Sequence, residues 1–239
     1  MSRTMGEQLF DVLRQAGVER VYGIVADSLK PLVDAIRRTD VIDRVDVRDE
    51  EAGAFAAAAE AQLTGRLAVC AASRGPGNTH LVRGLYDAHR SGAPGLALAS
   101  RIPSEQIGAS ALQETHPERL LVDCSDLCQL VSQTAQMPRL AGVAIGRAPG
   151  RGGFSVLVLQ GDGLHRPATR PTGDWSPSAA RGTVISASMV RFSAATWRQC
   201  AMCWGQRQIL IREPSPNGEG DLLRAVACES CLGLGEVLR

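Results

Sequence analysis

The stretch Leu67-Ala-Val-Cys-Ala-Ala-Ser-Arg-Gly-Pro-Gly-Asn78 decides the fold. Its apolar half reads as a strand buried on both faces, its Gly-Pro-Gly run as a tight turn, and the residues from about Asn78 to Arg90 as a helix. Shortly upstream, the acidic trio Asp49-Glu50-Glu51 opens an alanine-rich helix running to Leu63. Strand, glycine turn and helix together form the unit from which parallel α/β sheets are built. The arrangement predicts one glutamate and one glycine-lined loop at the same end of the sheet, where such folds place their sites.

Outward from this unit the pattern repeats. Leu9, Val12, Leu13 and Ala16 recur at helical spacing, with Gly17 as a C-cap candidate. Val21-Tyr-Gly-Ile-Val25 is a short strand, with Asp27 and Ser28 as N-cap candidates for a helix from Leu29 to Arg38. Further strands are expected at 44–47, 96–99, 128–131 and 155–159, and Pro149 and Gly150 are expected to interrupt the helix before the last of them. This is an α/β chain: a doubly wound, mostly parallel sheet with helices on both faces over residues 1–172, then an irregular tail over 173–239.

Bulk composition narrows the function classes. A hydrophobic content of 44% supports a buried core. A formal net charge of +1 argues against nucleic acid or an anionic membrane as the main partner, because neither would be attracted at long range. No apolar run approaches the ~20 residues a membrane span needs, and the N-terminus does not read as a signal peptide. A cytoplasmic protein with reduced thiols is expected.

The motifs, taken in order, resemble a known family. Asp27-Ser28-Leu29, Arg48-Asp-Glu-Glu51, Ala54-Phe-Ala-Ala-Ala-Ala-Glu-Ala-Gln-Leu63, Gly75-Pro-Gly-Asn78, Gly84-Leu-Tyr-Asp-Ala-His-Arg-Ser-Gly-Ala-Pro94, Ile102-Pro-Ser104 and Gln113-Glu-Thr-His-Pro117 are similar to the N-terminal, pyrimidine-binding domain of thiamine-diphosphate enzymes. The pyruvate oxidase and quinone-dependent pyruvate dehydrogenase branch is the nearer likeness, acetolactate synthase the more distant. The resemblance implies a 2-keto acid substrate and a catalytic Glu50 that bonds the cofactor's pyrimidine nitrogen and promotes its imino tautomer. It also implies that Gly75, Pro76 and Asn78 lie beside that ring and Gln113 on the substrate side. The family's sites form between subunits, so a homo-oligomer, or a chain carrying the diphosphate-binding domain, is the implied partner.

Several positions depart from the family pattern. Asp49 stands where a His is usual, Arg74 sits in the glycine turn, Arg83 replaces an Asn, and Leu112 replaces the aromatic before Gln113. Magnesium and FAD are expected of the family, yet the domains that hold them are not recognisable in this sequence. Gly161-Asp-Gly163 reads as the end of the last strand, not as a diphosphate motif. The chain is therefore expected to be a truncated pyruvate-decarboxylating oxidoreductase, inactive by itself. A subunit of a split, acetolactate-synthase-like enzyme and a non-catalytic dimerising module are the alternatives.

The tail holds all three tryptophans and the pairs Cys200-Ala-Met-Cys203 and Cys228-Glu-Ser-Cys231. Four thiolates so spaced suit tetrahedral zinc. This is a lesser alternative, since no hairpin is evident around either pair. A shifted reading frame or the lack of a fixed fold is the main expectation for 173–239. Cys124 and Cys128 are expected to be packed thiols. His80, His89, His116 and His165 are scattered and carry no recognisable triad.

Overall fold

The computed structural model describes residues 3–24, 26–151, 153–169, 208–214 and 221–227. The chain divides into two compact units, Met1–Ile185 and Ser186–Arg239. In the first, six strands form one sheet: β1 (Arg20–Gly23), β2 (Asp43–Asp46), β3 (Ala68–Ala72), β4 (Gly95–Ser100), β5 (Leu127–Val131) and β6 (Phe154–Leu159). Their order is β2-β1-β3-β4-β6-β5, and every neighbouring pair is parallel. The chain steps from β1 outward to β2 and then returns to the other side of β1 as β3. Strand order thus reverses between β1 and β3, which opens a crevice at their carboxyl ends.

Strand alternation divides the core into two unlike layers. Val69, Ala71, Leu96, Leu98, Leu157 and Leu159 face helices α1 (Met5–Gln15), α2 (Lys30–Arg37) and α6 (Met137–Arg151), which contribute Leu9, Leu13, Leu32, Ile36 and Met137. The opposite faces of the same strands (Ala68, Cys70, Ala72, Ala97, Ala99) meet α3 (Glu50–Thr64) and α4 (Pro76–Arg90) through Ala54, Ala57, Ala58 and Ala61 of α3 and Leu81 and Leu85 of α4. The second layer is rich in alanine on α3, β3 and β4, with Phe154, Val156 and Val158 of β6 completing it. Helices α3 and α4 are in close contact: a methyl on Gly84 would come within 2.5 Å of the Ala54 side chain and 3.0 Å of the Glu51 carbonyl oxygen.

Local sequence accounts for most element ends. Thr4 and Glu7 form a reciprocal capping box at the start of α1. Asp49 caps α3 by accepting the Ala52 N–H at 2.8 Å, and Gly65 closes that helix in the left-handed conformation at φ +67°. One expectation needs correction. The last helix, α6, is not interrupted at Pro149 and Gly150 but runs on to Arg151; a proline this close to the end of a helix removes only one late hydrogen bond. In the second unit, β7 (Gln208–Pro214) pairs antiparallel with β8 (Asp221–Ala227), with Ile211 opposite Arg224. In sequence the apolar run Ile209-Leu210-Ile211 and the turn formers Pro216, Asn217 and Gly218 between the strands accompany this pairing. Cys200, Cys203, Cys228 and Cys231 lie outside the described residues.

Candidate functional site

Glu50, the turn after β3 and the loop after β4 converge at the carboxyl edge of the sheet, beside the β1/β3 crevice. Glu50 follows β2 as the first residue of α3 and is 3% exposed. Its Oε1 accepts the Ser73 hydroxyl at 2.7 Å and, more weakly, the Ser73 N–H at 3.4 Å. Its Oε2 lies 3.1 Å from Nδ1 of His80, one turn into α4. Gly77 makes this possible: a methyl there would strike both Glu50 Oε1 and the Ser73 hydroxyl. The glycine turn and the carboxylate are therefore in direct van der Waals contact.

Gly75 takes φ +69° and ψ −121°, a conformation essentially reserved for glycine. Any side chain on it would also come within 2.9 Å of Gln113 Cβ and 3.1 Å of its backbone. Gln113 thus packs on the turn, and Arg74 Nε donates to its Oε1 at 2.7 Å. Asn78 is fully buried and points toward the end of β4, where its amide donates to the Ser100 carbonyl at 2.7 Å. Its Oδ1 is buried without a donor among the described residues. Pro76 is the exposed first residue of α4.

The structure thus brings Glu50, Gly75, Pro76, Asn78 and Gln113 into one neighbourhood, with Gln113 the most exposed side. Sequence reading missed two members, Ser73 and His80. Both sit within one helical turn of the glycine motif, and that proximity was the available signal. The family departures find structural uses. Asp49 is a solvent-side helix cap, Arg74 clasps Gln113, and Arg83 pairs with Glu51 at 2.8 Å across α3 and α4. Leu112 is fully exposed. Asp162, in the Gly161-Asp-Gly163 run, accepts the Ser104 N–H at 2.9 Å and so ties the end of β6 to the loop after β4. Among the described residues, no group of three His, Cys, Asp or Glu side chains is placed to hold a metal ion. No described helix is long and apolar enough to cross a membrane.

Residues 3–120 match the family model for the thiamine pyrophosphate enzyme, N-terminal TPP binding domain. Residues 3–120 are an N-terminal domain of the thiamine-diphosphate enzyme family. An uncharacterized 42.6 kDa protein of Pseudomonas amyloderamosa is 48% identical over 175 residues, covering 73% of this chain and 44% of that one. The pyruvate oxidase of Lactiplantibacillus plantarum is 36% identical over 175 residues, 73% of this chain and 29% of its own length. An acetolactate synthase large subunit of Escherichia coli is 30% identical over 137 residues, 57% and 24% of the respective chains. The chain therefore spans less than half the length of these curated relatives.

Proposed function

We propose that this chain provides the pyrimidine-activating half-site of a thiamine-diphosphate enzyme that decarboxylates a 2-keto acid, of the pyruvate oxidase or quinone-dependent pyruvate dehydrogenase type. The observation that carries the reading is the buried Glu50 carboxylate lying against a side-chain-free glycine turn at the β1/β3 crevice. The residues fit an aminopyrimidine. A flat heterocycle needs a carboxylate for its ring nitrogen and open backbone along its edge, and Glu50 with Gly75 and Gly77 offers both. The unpartnered Asn78 Oδ1 offers a further acceptor in the same turn. When bound, the cofactor supplies a carbanion that attacks a keto carbon and stabilises the electron pair left after carbon dioxide departs.

The chain's own residues have separable tasks. Glu50 holds or releases a proton at Oε2, Ser73 fixes Oε1, and Gly77 keeps bulk and water from that side of the carboxyl group. Gln113 and Arg74 face outward from the turn, where a substrate carboxylate would meet amide and guanidinium donors. Diphosphate, magnesium and FAD would be held by other domains of the enzyme. A homo-oligomer with the site at the protomer boundary is the assembly this reading favours.

The test titrates the full chain with thiamine diphosphate by calorimetry, alone and with a family diphosphate-binding domain added. Glu50→Gln should weaken or abolish both binding and pyruvate-dependent acceptor reduction. Indistinguishable cofactor binding by wild type and variant would overturn the reading. Similarity to acetolactate synthases favours a second reading, a split synthase subunit. Formation of acetolactate in place of acceptor reduction identifies it.

A further inference from the structure

The two oxygens of Glu50 have different surroundings. Oε1 is engaged by the Ser73 hydroxyl and N–H, and Gly77 presses against it from the helix. Oε2 has one hydrogen-bonding partner among the described residues, Nδ1 of His80 at 3.1 Å. The carboxylate side chain is only 4% exposed, whereas the His80 side chain is 53% exposed. The adjacent Glu51 does not compete for the imidazole, because Arg83 holds both its oxygens, at 2.8 and 3.1 Å. A carboxyl group that must change protonation state during turnover is thus sealed from water on one side. On the other side it touches an imidazole that reaches the outer surface of α4.

We propose that His80 is the proton-transfer partner of Glu50, carrying a proton between Oε2 and the surface of α4. The inference rests on the cofactor role of Glu50 argued above. In the inward direction, a solvent proton binds Nε2 of a ring already protonated at Nδ1. The resulting imidazolium passes its Nδ1 proton to the ionised Oε2, and the N–H bonding pair stays on Nδ1. A neutral carboxyl group and a neutral ring bearing its proton on Nε2 result. The reverse sequence returns the proton to solvent, so one proton is conserved at every stage. Imidazole suits this task because its two nitrogens sit on opposite edges of one ring and both exchange protons near neutral pH.

Two measurements test the relay. The first needs no cofactor: nitrogen and carbon NMR shifts of the His80 ring in the full chain at alkaline pH. Free imidazole side chains prefer the Nε2–H tautomer. His80 should instead be held as Nδ1–H by Glu50, and Glu50→Ala, with its fold checked by the amide spectrum, should return it to Nε2–H. An Nε2–H ring in the wild-type chain overturns the proposal. The second follows deuterium exchange at the thiazolium C2 of thiamine diphosphate bound to the full chain in its native assembly. His80→Gln should slow exchange on the order of 10²-fold, and added imidazole should restore much of the rate. Undisturbed folding with slow exchange that imidazole does not rescue marks a structural role and overturns the relay. Unchanged exchange in His80→Gln beside a silent Glu50→Gln overturns the relay alone. Exchange that neither variant alters overturns the cofactor reading and the relay together.

Discussion

Glu50 is tolerated in the interior because every neighbour has adapted to it. A buried carboxylate without hydrogen bonds costs several kcal/mol; here Ser73 and His80 supply donors, and the α3 N-terminus contributes a favourable dipole. The contact depends on a missing side chain at position 77. Gly77→Ala should lower unfolding free energy by about 1–3 kcal/mol in urea titrations, since its methyl can be housed only by moving Glu50 or Ser73. Asp162 gives a pH prediction. Burial, the largest single influence, pushes its carboxyl upward, but hydrogen bonds from Ser104 and Arg166 outweigh it and hold the group below its ordinary value. A lowered folded-state value means the stabilisation is present above the ordinary carboxylate range and is lost as pH falls through the lowered value. Acid unfolding below about pH 4 should therefore be less steep in Asp162→Asn. Unaltered pH dependence would deny Asp162 this role.

At the scale of elements, Cys124 and Cys128 were expected to be packed thiols, and the structure agrees. Cys70 is fully buried on β3 with its thiol pushed up to about 12, Cys124 is desolvated to about 11, and Cys128 on β5 to about 12, in each case chiefly by burial. Thiolate is the reactive form. Folded chain treated with a thiol reagent at pH 8 and mapped by peptide should therefore show negligible labelling at these three positions, with full labelling after denaturation. The glycine turn and the acidic start of α3 were legible because each depends on a few adjacent residues. The continuation of α6 through Pro149 was not legible, since the cost of a late proline depends on how little helix follows it. The pairing of β7 with β8 was not legible, since Ile209-Leu210-Ile211 and Leu222-Leu223 are consecutive apolar residues without the alternation that marks a half-buried strand.

For the first unit as a whole, the two core layers differ in composition, and the helix that carries Glu50 lies in the alanine-rich one. Leu13, fully buried in the layer away from α3, should cost about 2–5 kcal/mol when cut to Ala, with cofactor binding retained in the folded fraction. Ala57→Leu is the reverse case: Ala57 is fully buried where α3 meets the sheet, and the added bulk must lift the helix that carries Glu50. It should cost about 1–3 kcal/mol and weaken thiamine diphosphate binding disproportionately, as read by calorimetry beside urea unfolding. Equal loss of binding in both variants would argue that the alanine-rich layer has no special tie to the site.

By itself the sequence determined the alternation of strands and helices, the parallel sheet, the family and the Glu50 and Gly75–Asn78 motifs. These follow from hydrophobic period and backbone chemistry, which act between residues close in the chain. Only the tertiary structure decided that Gly77 touches the carboxylate, that Arg74 holds Gln113, that Arg83 takes Glu51 and that His80 faces Oε2. Those pairings join residues separated by dozens of positions. The Glu50 and Glu51 pairings arise from the closeness with which α3 and α4 pack, and the Arg74–Gln113 pairing from the loop after β4 folding onto the glycine turn; no local pattern carries either.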